Sequence, residues 1–191
     1  MIIIKKATKR GIQALSIKLL GMLEDETSQV YRDNVTKFGI PSEVVREAFS
    51  EKSLLEAAVS GKSTFYLALG DGREIVGFAQ TVQNDAKTVE LDRIVVFPEY
   101  TRKGIGTRIL NRVVRDAKLR KADAIAVNAG RDEAHARRFY EKNGFSAVKE
   151  ETVEYPWGSK ITLVTYRLQL GHGRKPKADE KPSFLGVKKI Y

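Results

Sequence analysis

The chain has 191 residues, no cysteine and two histidines, and its 34 lysines and arginines against 24 aspartates and glutamates give a formal net charge of +10. This composition excludes disulfides, thiolate metal sites, a cysteine nucleophile and a histidine metal cluster. The positive charge favours a polyanionic partner, such as nucleic acid, an anionic surface or a phosphorylated cofactor, although much of it can also be a solvated surface. Because no apolar run approaches the ~20 residues that span a bilayer, we expect no membrane segment, and the absence of cysteine suits the cytoplasm.

The N-terminal half predicts one short strand, then helices, and then three further strands. Apolar spacing and turn residues predict a strand over residues 2–7, helices over 8–23 and 42–58, and strands over 64–69, 75–82 and 89–97. Thr8 is the expected N-cap of the first helix, since a threonine hydroxyl can accept a hydrogen bond from a free N–H of the first turn. The last three strands are joined by short turns, and these short connections predict an antiparallel meander.

A strand, a turn and a helix follow one another without a break from residue 91 to residue 120. β-Branched residues predict the strand, and Pro98 ends its pairing because proline has no N–H to donate. The apolar residues of the helix recur every four positions from Ile105 to Ala117. The turn therefore leads directly into a helix N-terminus, where backbone N–H groups lack partners and the macrodipole is positive.

This junction predicts an anion-binding site. Gly104 and Gly106 would leave room for a diphosphate against the N–H groups of the first turn, and Arg102 and Lys103 add positive charge. The lysine precedes the glycines, which excludes a Walker loop. Ile109 stands where the third glycine of a dinucleotide fingerprint belongs, which excludes that motif as well.

The C-terminal part predicts further elements and then a change of character. The elements are a buried strand over 122–127, a loop over 128–130, a helix from 132 or 133 that Gly144 terminates, and a hairpin of 145–155 and 161–168. After Leu170 the sequence is rich in Gly, Pro and Lys and has little periodicity. We expect one domain over residues 1–170 and a basic extension over residues 171–191, either solvated or docked through residues 184–187.

The strand, turn and helix resemble the acyl-CoA signature of the GNAT superfamily of N-acyltransferases, [QR]xxGx[GA]. Its six positions read Thr101, Arg102, Lys103, Gly104, Ile105 and Gly106 in this chain. Thr101 departs from the usual Gln or Arg, and Arg102 stands where glycine is common. Downstream, ARRFYEKNGF resembles the AxxxYxxxGF segment of the family. The preceding strand and these two segments cover about a third of the chain in the order and spacing of the family.

The resemblance implies an α/β (α+β mixed) GNAT fold, with a mixed, mostly antiparallel central sheet flanked by helices on both faces. It implies an N-acetyltransferase in which a primary amine attacks acetyl-CoA directly in a ternary complex, with acetyl-CoA as co-substrate and no metal. Backbone groups near Ile94, Val95 and Val96 would hold the acyl carbonyl and the pantetheine. The expected cofactor-binding residues are Ile94, Val95, Val96, Arg102, Lys103, Gly104, Ile105, Gly106, Thr107, Asn128 and Glu133.

One of these positions, Glu133, departs from what the family presents. Glu133 occupies a position where the family often has Asn, and a carboxylate cannot donate the amide hydrogen bond to pantetheine that Asn can. Asn128, at the end of the preceding strand, is a candidate replacement, and a plain loop asparagine is the alternative.

Tyr140 is the candidate general acid, because it matches the tyrosine of the AxxxYxxxGF segment. A phenol with a pKa near ~10 is protonated at neutral pH and can give its proton to the departing thiolate. The alternative is that Tyr140 is an ordinary core residue, like Phe139 beside it.

Glu90 and Asp92 are the candidate general bases, because an amine with a pKa near ~10 must lose a proton before it attacks. By the period of two, Glu90, Asp92, Ile94 and Val96 should share one face of their strand. Ion pairing or simple exposure of the two carboxylates is the alternative reading, and Glu133 or an N-terminal acid could also serve as the base.

The acceptor amine cannot be read from the sequence. Acidic residues at Glu24, Asp25, Glu26 and Asp33 hint at a cationic acceptor such as a polyamine. Two other functions stay open, a non-catalytic acyl-CoA-binding regulatory module and a basic nucleic-acid-binding protein, although no motif that reads RNA or DNA is visible. A homodimer also stays open.

Overall fold

Seven strands form one sheet at the centre of the computed structural model, which describes residues 1–83, 85 and 87–171. In chain order the strands are β1 (Ile3–Lys6), β2 (Ser63–Leu69), β3 (Ile75–Gln83), β4 (Thr88–Val96), β5 (Ala124–Gly130), β6 (Ser146–Glu154) and β7 (Lys160–Gln169). They lie side by side in the order β1-β2-β3-β4-β5-β7-β6. β4 and β5 are parallel and the other neighbouring pairs are antiparallel, which confirms the expected mixed, mostly antiparallel sheet.

Helices and short helical turns connect the strands of the sheet. They are α1 (Lys9–Leu23), α2 (Gln29–Tyr31) with the π-helical turn Arg32–Thr36, α3 (Ser42–Ala48), α4 (Glu51–Val59), α5 (Ile105–Leu119) and α6 (Ala134–Lys142), and a 3-10 turn covers Pro98–Tyr100. Across the part of the chain that the structure describes, no helix combines the length and the apolarity needed to cross a membrane.

Each face of the sheet carries its own hydrophobic core. On one face, Ile109 and Val113 of α5 pack in a cluster with Val89 and Leu91 of β4. On the other face, α1, α3 and α4 bury their apolar sides in a cluster that includes Phe65 and other residues of the strands. The sheet is therefore covered on both faces, as expected for this fold.

Several local predictions are confirmed. The Thr8 hydroxyl caps α1 by accepting a hydrogen bond from the Gly11 N–H at 3.2 Å. β2, β3 and β4 form the expected antiparallel meander. Gly144 adopts a φ of +87° after α6, the left-handed conformation predicted for a helix terminator.

Two predicted elements are wrong in their extent. The helix predicted over residues 42–58 is divided into α3 and α4, because Ser50 caps a new helix by accepting from the Ser53 N–H. At the break, the Phe49 carbonyl accepts a hydrogen bond of 2.7 Å from the Ser16 hydroxyl of α1. The loop predicted over residues 128–130 is instead the end of β5, because β7 supplies ladder partners along that segment.

Of the extension predicted over residues 171–191, the structure describes Gly171 alone, and residues 172–191 lie outside the described residues. The division of the chain into a domain over 1–170 and an extension stays a prediction.

The central strands β4 and β5 separate soon after they begin to pair. Within the described strands they pair at Thr88 with Ala124, Val89 with Ile125 and Glu90 with Ala126, and the two strands then run on without further pairing. β4 also carries an irregularity against β3, since Thr81 pairs with Leu91 but the preceding Gln80 pairs with Arg93, which leaves Asp92 as an extra residue. A bulge of this kind bends its strand and interrupts the alternation of side chains.

Asp116 of α5 fastens the edge strand β1 to the rest of the fold. Its carboxylate accepts from Arg112 Nε at 3.1 Å and forms an ion pair with Lys6 Nζ at 3.2 Å. Arg112 also donates to the Ile4 carbonyl of β1 at 3.1 Å. Burial opposes the charge of Asp116, but the interactions with Lys6 and Arg112 outweigh it, so the pKa of Asp116 lies below its ordinary value.

We expect Asp116→Asn to lower the free energy of unfolding by about 1–3 kcal/mol at pH 7, because charged hydrogen bonds of a buried group are lost. A lowered pKa in the folded state stabilises the fold above the unfolded pKa, and this stabilisation is lost as the pH falls through the folded pKa. In urea unfolding, the difference in the free energy of unfolding between wild type and variant should therefore become smaller below about pH 4. The exposed control Asp132→Asn should change stability little, and an equal difference at pH 3 and pH 7 would contradict this account.

Candidate active site

A cleft of about 270 Å³ lies where β4 and β5 separate. β4 forms one wall, and the end of β5 with α6 forms another. The helical segment around α2 and the β6–β7 hairpin complete the walls. Residues from the N-terminal part, the central strands and the C-terminal part of the chain therefore all line the cleft.

The backbone of Ile94, Val95 and Val96 lines this cleft, as predicted for the segment that would hold an acyl group. These residues pair with β3 on one edge, where Ile94 lies opposite Ala79 and Val96 opposite Gly77. Their other edge faces the gap left by β5. Residues of a strand direct their N–H and C=O groups alternately to its two edges, so part of this backbone is available to a ligand in the gap.

The turn before α5 has the geometry of an open helix N-terminus. Gly104 is the N-cap residue of α5 with a φ of +71°, and a side chain added there would meet no atom of the described residues within 4 Å. Arg102 also lies in the left-handed region, with a φ of +59°, a conformation that costs an L-residue about 1–2 kcal/mol. Both Arg102 and Lys103 are exposed. Positive charge and open space thus coincide at the end of the helix where an anion is favoured.

The next three residues of this turn have different surroundings. Ile105 is buried in the core beneath α5, so its backbone alone could contact a ligand. A Cβ on Gly106 would lie 3.3 Å from the Phe139 ring, whereas Gly106 was predicted to leave room for a diphosphate. The small size of Gly106 therefore allows α5 to pack against α6. Thr107 is half-buried on the first turn of α5.

Tyr140 lies at the cleft wall and in the core at the same time. Its residue is 7% exposed, and its ring lies 5.6 Å from the Phe145 ring and 6.0 Å from the Tyr166 ring. The two readings of the sequence for Tyr140, as a site residue and as a packed core residue, are therefore compatible. Burial, together with the nearby charge of Glu133, raises the pKa of Tyr140 far above that of an ordinary phenol.

Glu133 and Asn128 both line the cleft and both have partners within the protein. The Glu133 carboxylate accepts from the Gly130 N–H at 2.6 Å and from Lys37 Nζ at 2.7 Å. Asn128 Oδ1 accepts from the Thr165 hydroxyl at 2.7 Å, which leaves its amide N–H₂ as the group with which it could contact a ligand. Glu133 thus links the end of β5 to the segment that follows α2.

Glu90 and Asp92 line the cleft as well, but the face predicted for them is wrong. Ile94 and Val96 pack against the same core as Val89 and Leu91, so Glu90, which alternates with those two residues, lies on the opposite face. The bulge at Asp92 causes this shift, because one extra residue reverses the alternation after it. Asp92 forms an ion pair with its neighbour Arg93, with Oδ2 3.4 Å from Nε.

The acidic residues of the N-terminal helices contribute less than the sequence hinted. Of these four residues, Asp33 lines the cleft. Glu24 instead binds Arg46 at 2.8 Å, and Asp25 accepts hydrogen bonds from Thr27. Glu26 is exposed. Three of the four acidic residues therefore lie outside the cleft.

Arg93 and Tyr155 are among the cleft residues that the sequence did not predict. Arg93 packs over the Phe49 ring, with its Cζ 5.1 Å from the ring centroid. Tyr155 stacks on Trp157 with ring centroids 4.9 Å apart. The sequence did contain a signal for Arg93, since a charged residue in a strand of β-branched residues needs a buried partner or a ligand. For Tyr155 the sequence contained no signal beyond its position at a hairpin.

A model of the acetyltransferase (GNAT) family matches residues 27–145, which include β4, the turn, α5 and Tyr140. The chain belongs to this family. The membership agrees with the cleft, because the matched segment contains both separating strands and the open helix N-terminus.

Individual relatives agree with this assignment. The chain is 38% identical over 104 residues to a mycothiol acetyltransferase of Nocardiopsis dassonvillei, a match that covers 53% of this chain and 30% of that protein. Its matches span less than half of the length of such curated relatives. The PaiA N-acetyltransferase of Thermoplasma acidophilum, solved in complex with coenzyme A, has a TM-score of 0.64 at 21% identity and covers 88% of this chain and 99% of that one.

A GNAT family acetyltransferase from Elizabethkingia anophelis, solved with acetyl-CoA bound, has a TM-score of 0.57 at 17% identity. It covers 88% of this chain and 98% of that one. Because the sequence identities to these two solved structures are only 21% and 17%, the similarity establishes the fold alone.

We expect Gly104→Val to weaken the binding of coenzyme A by about tenfold or more, equivalent to about 1.4 kcal/mol, because the new side chain would occupy the open space before α5. Gly61→Val is a matched control, since Gly61 has a φ of +72° and an equally open surrounding. The two variants should lose similar thermal stability, while isothermal titration with coenzyme A should detect weaker binding for Gly104→Val alone. Equal affinity in both variants would argue against this turn as the phosphate site.

Proposed function

We propose that this protein transfers an acetyl group from acetyl-CoA to a primary amine by direct attack in a ternary complex. The observation that carries the proposal is the cleft between β4 and β5, with the open N-terminus of α5 following the same strand. Acetyl-CoA needs both features, a gap for its acyl end and an anion site for its phosphates. We further propose that residues 1–170 act as one domain in the cytoplasm.

Acetyl-CoA would be held at two places. The first-turn N–H groups from Gly104 to Thr107 would bind the diphosphate, with Arg102 and Lys103 supplying positive charge. The open space at Gly104 supports this assignment, as do relatives of the same fold that were solved with coenzyme A or acetyl-CoA. Along the cleft, the amide of Asn128 is the donor available for the pantetheine, because the carboxylate of Glu133 is engaged by Gly130 and Lys37.

The acyl carbonyl would lie against the backbone of Ile94, Val95 and Val96. As the amine attacks, negative charge develops on that oxygen, and a fixed N–H stabilises it without reorganisation. Donors of this kind are worth about 10²–10³ in rate. The pairing of these residues with β3 holds the donors in place.

Tyr140 would protonate the departing thiolate. Its raised pKa keeps the phenol protonated throughout the neutral and mildly alkaline range, which a general acid requires. Its place at the cleft wall supports the role, and the packing of its ring fixes the direction of the hydroxyl.

Glu90 and Asp92 would remove the proton of the ammonium, directly or through water. Glu90 belongs to the last residue pair that joins β4 to β5, so it lies at the closed end of the cleft. Asp92 lies beside Arg93 and is shielded from solvent, with 7% of its side chain exposed. We therefore propose Glu90 as the principal base and Asp92 as the residue that assists it.

We expect Tyr140→Phe to lower kcat by about 10²–10⁴, with little change in the affinity for acetyl-CoA, because the acid is needed only as the thiolate leaves. Thiol release with a panel of primary amines measures kcat, and isothermal titration measures the affinity. Tyr66→Phe is the matched control, since it removes the hydroxyl of another buried tyrosine that lies outside the cleft.

An unchanged kcat in Tyr140→Phe would reject the acid assignment. Binding of acetyl-CoA without thiol release for any amine would instead favour the non-catalytic module.

A further inference from the structure

Two walls of the cleft carry buried hydrogen-bond donors that have no partner within the described residues. They are Nη1 of Arg93, on β4, and the hydroxyl of Tyr155, after β6. The indole N–H of Trp157, which stacks on Tyr155, is a third. Leaving a buried polar group without a hydrogen bond costs about 1–3 kcal/mol, and more for a charged group, so such groups require an explanation.

The Arg93 side chain is held in a fixed position, but its Nη1 has no hydrogen-bond partner among the described residues. Its side chain is 15% exposed, its Nε lies 3.4 Å from Asp92 Oδ2, and Phe49 covers the guanidinium. Burial lowers the pKa of Arg93, while the charge of Asp92 opposes that effect. Asp92 therefore balances the charge of the guanidinium, but the N–H donors of Nη1, which the described residues leave without a hydrogen-bond partner, can bind an oxygen atom of a ligand.

Tyr155 offers a second donor on the opposite wall. The residue is buried, and burial raises the pKa of its phenol. The hydroxyl therefore stays protonated and can donate a hydrogen bond. Stacking on Trp157 fixes the ring, and the neighbouring Ser159 hydroxyl donates to the Phe38 carbonyl at 3.0 Å, which joins the hairpin to the segment after α2.

The position of Arg93 relates these donors to the reaction. Arg93 immediately precedes Ile94, the first residue of the backbone proposed to hold the acyl carbonyl, and one residue of a strand advances by about 3.3 Å. Arg93 and Ile94 both line the cleft, so a group bound by Arg93 would lie in the same cleft as the acyl carbonyl and the attacking amine. A second cavity of about 500 Å³ adjoins Asp92 and Arg93 between α3 and α4, and it offers space for the remainder of a larger acceptor.

We propose that the acceptor is an amine that carries a carboxylate or carbonyl oxygen a few bonds from its amino group, and that Arg93 and Tyr155 donate hydrogen bonds to that oxygen. A free amino acid and the N-terminus of a peptide both present this chemistry. A polyamine has no such oxygen and would bring further positive charge toward Arg93. This inference rests on the proposed function, since it concerns the acceptor of the same cleft.

The test uses matched sets of amines that differ in the oxygen-bearing group. Phenylalanine, phenylalaninamide and phenethylamine form one set, and alanine, alaninamide and ethylamine form a smaller one, with spermidine as the polyamine. We expect the amino acid or its amide to exceed the plain amine in kcat/KM by about 10–100-fold, as the loss of a charged hydrogen bond predicts. Preference for the acid indicates a free amino acid, and preference for the amide indicates a peptide N-terminus.

Variants assign the preference to the two donors. Arg93→Met should reduce the ratio between the oxygen-bearing and the plain amine to within about threefold, Arg93→Lys should retain part of it because the charge remains without the guanidinium, and Tyr155→Phe should lower it to a smaller extent. Arg46→Met, an exposed arginine outside the cleft, is the matched control and should leave the ratio unaltered. All variants should keep the wild-type affinity for acetyl-CoA, which also verifies that they fold.

Equal or better use of phenethylamine, ethylamine or spermidine by the wild type would overturn the proposal, and so would an unaltered ratio in a folded Arg93→Met. Calorimetric binding of the same amines to the protein loaded with coenzyme A provides a readout that does not depend on turnover. Absence of thiol release with every amine contradicts the proposed function alone, whereas absence of a binding preference for the oxygen-bearing amines contradicts this inference.

Discussion

The separation of β4 from β5 is the constraint on which the rest of the site depends. The two strands begin as a parallel pair and part after Glu90 and Ala126, while β4 keeps its ladder with β3. A sheet that remained paired along its whole length would have no free backbone at its centre. Here β7 continues to pair with β5, so each side of the gap is supported by its outer neighbour. The gap is thus part of the pairing pattern of the sheet.

The turn before α5 is shaped by its neighbours as much as by its own residues. The lack of a side chain at Gly104 keeps the space before the helix open, and the lack of one at Gly106 leaves room for the ring of Phe139 of α6. The side chain of Ile105 is buried in the core beneath the turn. Phe139 precedes Tyr140, and the two rings lie 5.5 Å apart. The same packing that positions the proposed phosphate site therefore positions the proposed acid. Arg102 adopts a backbone conformation that favours glycine, and its side chain adds positive charge at this turn.

Much of the fold and part of the site could be predicted from residues that act locally. Thr8, Pro98 and Gly144 determine where elements begin and end because their chemistry operates within a few residues. The predictions failed where a distant partner decided the outcome. Ser16 of α1 binds the Phe49 carbonyl at the break between α3 and α4, and pairing with β7 turns the expected loop after Val127 into strand.

Local patterns were enough to predict most helices and strands and the glycine-bearing turn at the head of α5, because periodicity, capping and motif spacing are properties of short segments. The mixed sheet was predicted from the resemblance to the family that the motif spacing carries. The tertiary structure alone decided which face Glu90 occupies, since the bulge at Asp92 arises from the register between β3 and β4. It also decided that Arg93 and Tyr155, 62 positions apart in sequence, line one cleft, each with a donor that has no hydrogen-bond partner among the residues the structure describes. Burial and hydrogen-bond partners are set by chain segments that meet only in the folded protein, and no pattern along the sequence encodes them directly.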